Sequence, residues 1–180
     1  MTLKRVLSRR GSAALLFVFF FPIFLCALSM AWDLGRLYAA KVACRHALNL
    51  AVRAAAAEID PDALADPSGP RLVVVPGRAK ASFDAILRAN YVPLRGHLVD
   101  GDYREVFFYV MNYPDDAKRV GSLSTPFSYS TGDRTVTVAQ PGVAAEIAVP
   151  VELGPFGKLA AGQNVVEMKV HTAAAPELRR

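Results

Sequence analysis

Between Ser12 and Trp32 the chain carries no charged side chain, and the positions before that run hold Lys4, Arg5, Arg9 and Arg10. As a helix rising 1.5 Å per residue, the run spans about 31 Å, the depth of a bilayer's hydrocarbon core. It reads as a membrane anchor, and the function has to be argued from it. A cleaved secretory signal is the rival. The run is longer than the usual apolar core of such a signal, and no clear small-x-small site follows it. Ala27, Ser29 and Ala31 do alternate, so cleavage there stays open without being preferred.

A chain of 180 residues has room for one anchor and one modest domain, and a second domain would not fit. Four of its 21 basic residues lie in the first ten positions, and without them it is nearly neutral against 16 acidic residues. Binding nucleic acid needs a basic patch to neutralise phosphates, and the sequence offers little for that role. Cys26 and Cys44 would lie about 27 Å apart on one helix, too far to bridge, and read as small packed hydrophobes. Cys44 is also open to a cross-link with a neighbouring chain in an oxidising environment.

The four leading charges put the N-terminus on the cytoplasmic side, although Arg36, Lys41 and Arg45 beyond the span partly offset them. The expected location is the inner cell membrane, with a single pass and an extracytoplasmic C-terminal domain. Pro22 lies near the middle of the span, where membrane helices tolerate it. From Asp33 to Ile59 the chain has one Gly, no Pro and many Ala, so the helix is predicted to run unbroken out of the membrane until Asp60-Pro61 ends it. On a wheel Leu37, Cys44, Leu48, Ala51 and Ala55 share one face, a stripe narrow enough for close helix packing. Lys41, Arg45, Asn49 and Arg53 drift along another.

The run from Arg9-Arg10-Gly11-Ser12 through Ala13-Ala14-Leu15-Leu16-Phe17, a hydrophobic stretch with a central Pro, then Asp33-Leu34-Gly35-Arg36-Leu37-Tyr38 and an Ala-rich helix resembles the N-terminus of TadE/TadG-like pseudopilins. These belong to the tight-adherence (Flp pilus) branch of type IV pilus-like systems. The resemblance covers residues 9 to 59. It implies a prepilin peptidase that cuts after Gly11 and makes Ser12 the new N-terminus, and other pilin-like or pilus-assembly subunits as partners beside membrane lipid. Family members that assemble usually carry Glu at the fifth mature position, where it pairs with a neighbour's N-terminal ammonium. Here that position is Leu16, and an ammonium buried without a counter-charge is costly. Two readings follow: a minor pseudopilin at a tip or initiating position, or an anchored accessory protein that keeps its leader. Outside the family, the alternative is a bitopic protein with an uncleaved anchor and an extracytoplasmic binding or sensor domain.

Residues 1–11 are thus read as leader, 12–32 as transmembrane segment, 33–59 as helical continuation, 60–77 as connector and 78–180 as a small α+β domain. Within the connector Leu72-Val73-Val74-Val75 is a short β candidate stopped by Pro76-Gly77. Arg78 to Asn90 is helical, with Phe83, Ile86 and Leu87 at helical spacing. Val106–Met111 and Thr135–Val138 are strand runs, and Ser122 to Thr131 reads as an exposed loop. Val143, Ala145, Ile147, Val149 and Val151 alternate with Ala144, Glu146, Ala148, Pro150 and Glu152. This is the pattern of a half-buried strand, with Pro150 at an edge or a bulge. Ala139-Gln140-Pro141-Gly142 looks like a hairpin connection between Val138 and Val143. Gly154 to Leu159 forms a loop whose Phe156 packs on the sheet or lies at the membrane. Val165 to His171 is a last strand, with Val166, Met168 and Val170 on one side. The fold class is α+β, a long N-terminal helix feeding a small antiparallel sheet, as in pilins.

The sequence holds no catalytic constellation. His46, His97 and His171 are isolated, and no pair stands at metal-ligand spacing. Gly121-Ser122-Leu123-Ser124 is neither a nucleophile elbow nor a phosphate loop. Asp100-Gly101-Asp102 and Asp115-Asp116 lack the ligand ladder of a calcium loop and read as turns. No catalytic residue, metal or cofactor is expected.

Overall fold

The computed structural model describes residues 3–118, 120–132 and 134–176, with side chains from residue 14 onward. Helix α1 (Leu3–Ala56) runs 54 residues without a break, straight through Pro22, and is about 80 Å long. Its two parts differ in what surrounds them. Residues 14–32 touch almost nothing and form a helix long and apolar enough to cross a membrane. From Ala40 on, positions three or four apart are buried: Ala40, Cys44, Ala47, Leu48, Ala51, Val52 and Ala55. The helix stops at Ala56, and Asp60 begins the next one by accepting the Asp62 N–H at 3.1 Å ahead of the short α2 (Pro61–Leu64).

The predicted strand at Leu72–Val75 does not join the sheet. Val74 makes an isolated antiparallel bridge to Ile59, and its own N–H and C=O are taken up by the buried Asn112 side chain at 2.8 and 3.0 Å. Pro76 then opens α3 (Pro76–Tyr91) instead of closing a strand, because a helix's first position needs no N–H. Ala79, Phe83, Leu87 and Tyr91 form its buried face against α1, with Ile86 left partly exposed. Glu58, two residues past the end of α1, ties that end to α3. Its carboxylate accepts from Ser82 Oγ at 2.6 Å and Arg78 Nε at 3.0 Å, which holds its pKa below the ordinary value.

The strands are β1 (Arg104–Asn112), β2 (Ser122–Ser124), β3 (Phe127–Thr131), β4 (Arg134–Val138), β5 (Gly142–Glu152) and β6 (Val165–Ala174). The main sheet has the order β2-β1-β5-β6, antiparallel except that β2 runs parallel to β1. The chain is thus α+β as expected, with a mixed sheet. The stretch read as an exposed loop, Ser122 to Thr131, instead supplies β2 and β3. The hairpin expected across Ala139–Gly142 is absent as well. β4 pairs with β3 in a separate ribbon, and the Pro141-Gly142 connection carries the chain from that ribbon into the main sheet.

The ribbon explains a further departure. β5 was expected to be half-buried, yet both its faces are covered. Val143, Ala145, Ile147, Val149 and Val151 face α1 and α3, while Ala144 lies with Met111 and Tyr129 under the ribbon. Phe107 meets Tyr129 and Tyr109 meets Phe127 edge to face, at 5.1 and 5.4 Å. Thr131 Oγ1 donates to the buried Glu146 at 2.6 Å and lies 3.1 Å from His171 Nδ1, pinning the ribbon's tip across β5 and β6. Pro150 sits in this central strand because β1 begins only at Arg104, opposite Ala148, and does not extend beside it. Its carbonyl accepts from Asp100 on that side, so no partner calls for the missing N–H.

Replacing Asn112 by Ala strands the Val74 N–H and C=O in the core. The expected loss is roughly 2–4 kcal/mol, given the cost of buried unpaired groups. A lower denaturation midpoint by near-ultraviolet circular dichroism of the detergent-solubilised chain would register it.

Candidate functional site: the outer face of the long helix and its junction with the domain

Two features of α1 lie outside its alanine-rich contact with α3 and the sheet. The first is the side turned away from the core. Leu34, Tyr38 and Val42 follow one another at four-residue intervals and are exposed, Tyr38 at 71%. Gly35 and Ala39 lie beside this ridge, and a side chain at Gly35 would meet nothing within 4 Å. The apolar character of residues 14–32 therefore continues past Asp33 on one side only. Further out, the same side turns polar with Arg45, Asn49 and Arg53.

The second is Asp33, the first charged residue after the uncharged run and only 5% exposed. Its Oδ2 accepts the Gly157 N–H at 2.7 Å. Gly157 is the third residue of α4 (Pro155–Ala161), a helix where the sequence suggested a loop. The helix has Pro155 at its first position and ends at Gly162, whose φ of 67° suits the left-handed cap. It lacks a local side-chain cap. Asp33, 124 residues away in sequence, supplies one from α1 to an otherwise orphaned N-terminal N–H. Gly154 makes the approach feasible, since a Cβ there would run into the Asp33 carboxylate. Oδ1 of Asp33 has no hydrogen-bond partner among the described residues. Sequence reading used Asp33 only as part of a motif, and the cap carries no local signal that could have revealed it.

The residues singled out from sequence do not come together in one place. Gly11 and Ser12 lie in the helical backbone of α1, while their side chains are outside the described residues. Leu16 is exposed within the uncharged segment. The proposed packing stripe is spent inside the chain: Cys44, Leu48, Ala51 and Ala55 are fully buried against α3 and the sheet, with Leu37 at the margin. The physical reason is the Ala-rich surface, which lets α3 and β5 approach closely and so attracts the chain's own domain first. Burial also keeps Cys44 from cross-linking to a neighbour. His46 and His97 are exposed and His171 is half-buried, and among the described residues no group of three potential ligands could hold a metal ion.

Residues 11–58 match the family model described as putative Flp pilus-assembly TadE/G-like. The match covers the uncharged segment, the Asp33 junction and the buried outer half of α1, and stops where the domain begins. No curated protein and no solved structure matches the chain.

Asp33→Ala is expected to remove the α4 cap and cost about 1–2 kcal/mol. Gly154→Ala should unseat α4 while Asp33 is present and do little harm in the Asp33→Ala background. A double-mutant cycle on thermal midpoints, with hydrogen exchange at the α4 amides, tests the coupling.

Proposed function

We propose that the chain is a Flp/Tad-type pilus-assembly protein, anchored in the membrane by α1 and acting through helix packing with other pilin-like subunits, without catalysis. The supporting observation is the bareness of α1 on its outer side. An uncharged segment left exposed among the described residues, except at Ser29, continues into an exposed ridge of Leu34, Tyr38 and Val42 flanked by small residues. Small residues let helices approach closely in lipid, and an aromatic ridge can fill the groove of a second helix. The family match over residues 11–58 gives the same direction. Because Leu37, Cys44, Leu48, Ala51 and Ala55 are already used inward, the partner-facing surface in this reading is the ridge on the other side.

The proposed topology has the N-terminus cytoplasmic and the domain extracytoplasmic, from the charges ahead of the span. A prepilin peptidase cut between Gly11 and Ser12 would remove all four leading charges. Leu16 at the fifth mature position then offers no carboxylate to a neighbour's ammonium, which favours an initiating or tip position over a bulk subunit.

Mass spectrometry of the chain taken from membranes is expected to find a mature N-terminus at Ser12. An intact leader would instead support an uncleaved anchor. Tyr38→Asp with Val42→Asp should abolish cross-linking to pilin-like neighbours while shifting stability by no more than about 0.5 kcal/mol, since both positions are exposed. Co-purification and a melting curve on one sample separate lost contact from lost fold.

A further inference from the structure

The junction at Asp33 fixes the depth of α4 relative to lipid. The hydrogen bond from Gly157 holds the helix beside the first charged residue after the span, with no spacer between. Ser29, one turn earlier on the same face of α1, is the single half-buried position in residues 14–32. The domain therefore reaches down to the last turn of the uncharged segment. Trp32 stands at the same height, 69% exposed, as an aromatic residue at a bilayer boundary would be. On α4 itself Leu159 is 84% exposed, and Ala160 and Ala161 beside it are exposed too. A single exposed leucine is ordinary on any protein surface, and what singles this one out is its helix, which Asp33 holds at the height where the uncharged segment ends and a lipid surface would meet it. Lys158 carries its charge on a long stem and pairs with Glu152 at 2.7 Å, so it can keep its head in water at that depth.

We infer that α4 is an interfacial foot: it seats in the lipid headgroup layer, with Leu159 in contact with the upper acyl chains, and holds the domain directly on the bilayer. The seat rests on the reading of residues 12–32 as a membrane span. Its occupant is a lipid surface because the span that α4 adjoins delivers one to that height, whichever side of the membrane the domain occupies.

The test uses the full-length chain with an environment-sensitive fluorophore on a single cysteine. Leu159→Cys, Ala160→Cys and Gln140→Cys are each made with Cys26→Ala, and the chain with native Cys26 serves as reference. Cys44 is fully buried and stays unlabelled. Gln140 adjoins the C-terminal end of β6, which meets the outer end of α1 about 30 Å beyond Asp33. The proteins are placed in phosphatidylethanolamine–phosphatidylglycerol vesicles with or without lipid bearing a nitroxide. Labels at 159 and 160 are expected to lose most of their emission to a nitroxide near the headgroup and less to one at the chain end, while the label at 140 keeps its emission. Two positions guard against a single substitution disturbing α4. If 159 and 160 behave like 140 while Cys26 is quenched, the foot is overturned and the anchor stands. If Cys26 itself is not quenched, the span is overturned and the foot with it.

Discussion

The contact on which everything else depends is the alanine-rich side of α1 against α3 and β5. Ala40, Ala47, Ala51 and Ala55 present almost no side chain, so Phe83, Leu87 and the valines of β5 fill the space directly against the helix. The domain has no complete core without this helix. Removing α1 would expose the inner face of β5 and β6, which is why anchor and domain behave as parts of one body rather than a tether and its load.

That packing decides what is left for partners. A helix has one circumference, and half of it is spent inward from Ala40 to Ala56. Sequence periodicity can find the apolar side of such a helix but cannot say whether the complement comes from the same chain or another. The stripe from Leu37 to Ala55 was legible as a packing surface, and its owner was not. The ridge of Leu34, Tyr38 and Val42 was harder to notice because its spacing is short and basic residues interrupt it further out.

Other elements were legible to the degree that their causes were local. The long helix, α3, β1, β4, β5 and β6 follow from alanine content, apolar spacing and β-branched runs. The failures share a different cause. β3 is a strand because β4 and the aromatic face of β1 meet it, α4 is a helix because a carboxylate from the far end of the sequence caps it, and Leu72–Val75 stays out of the sheet because Asn112 satisfies Val74 with a side chain. Each depends on a partner distant along the chain. The apparent hairpin at Ala139–Gly142 failed in the same way, since turn chemistry specifies a reversal and not the strands that it joins.

The absence of any break between the uncharged segment and the core has a mechanical side. From Asp33 to Ala56 the helix is a lever arm of roughly 35 Å, clamped along its outer length by the sheet and at its base by α4. Membrane helices tilt by tens of degrees according to bilayer thickness and neighbours, and a hinge would absorb that motion. Here each ten degrees of tilt would sweep the far end of the domain by about 6 Å. Local bilayer thickness thereby becomes a coordinate that sets where the outer surface of this protein points.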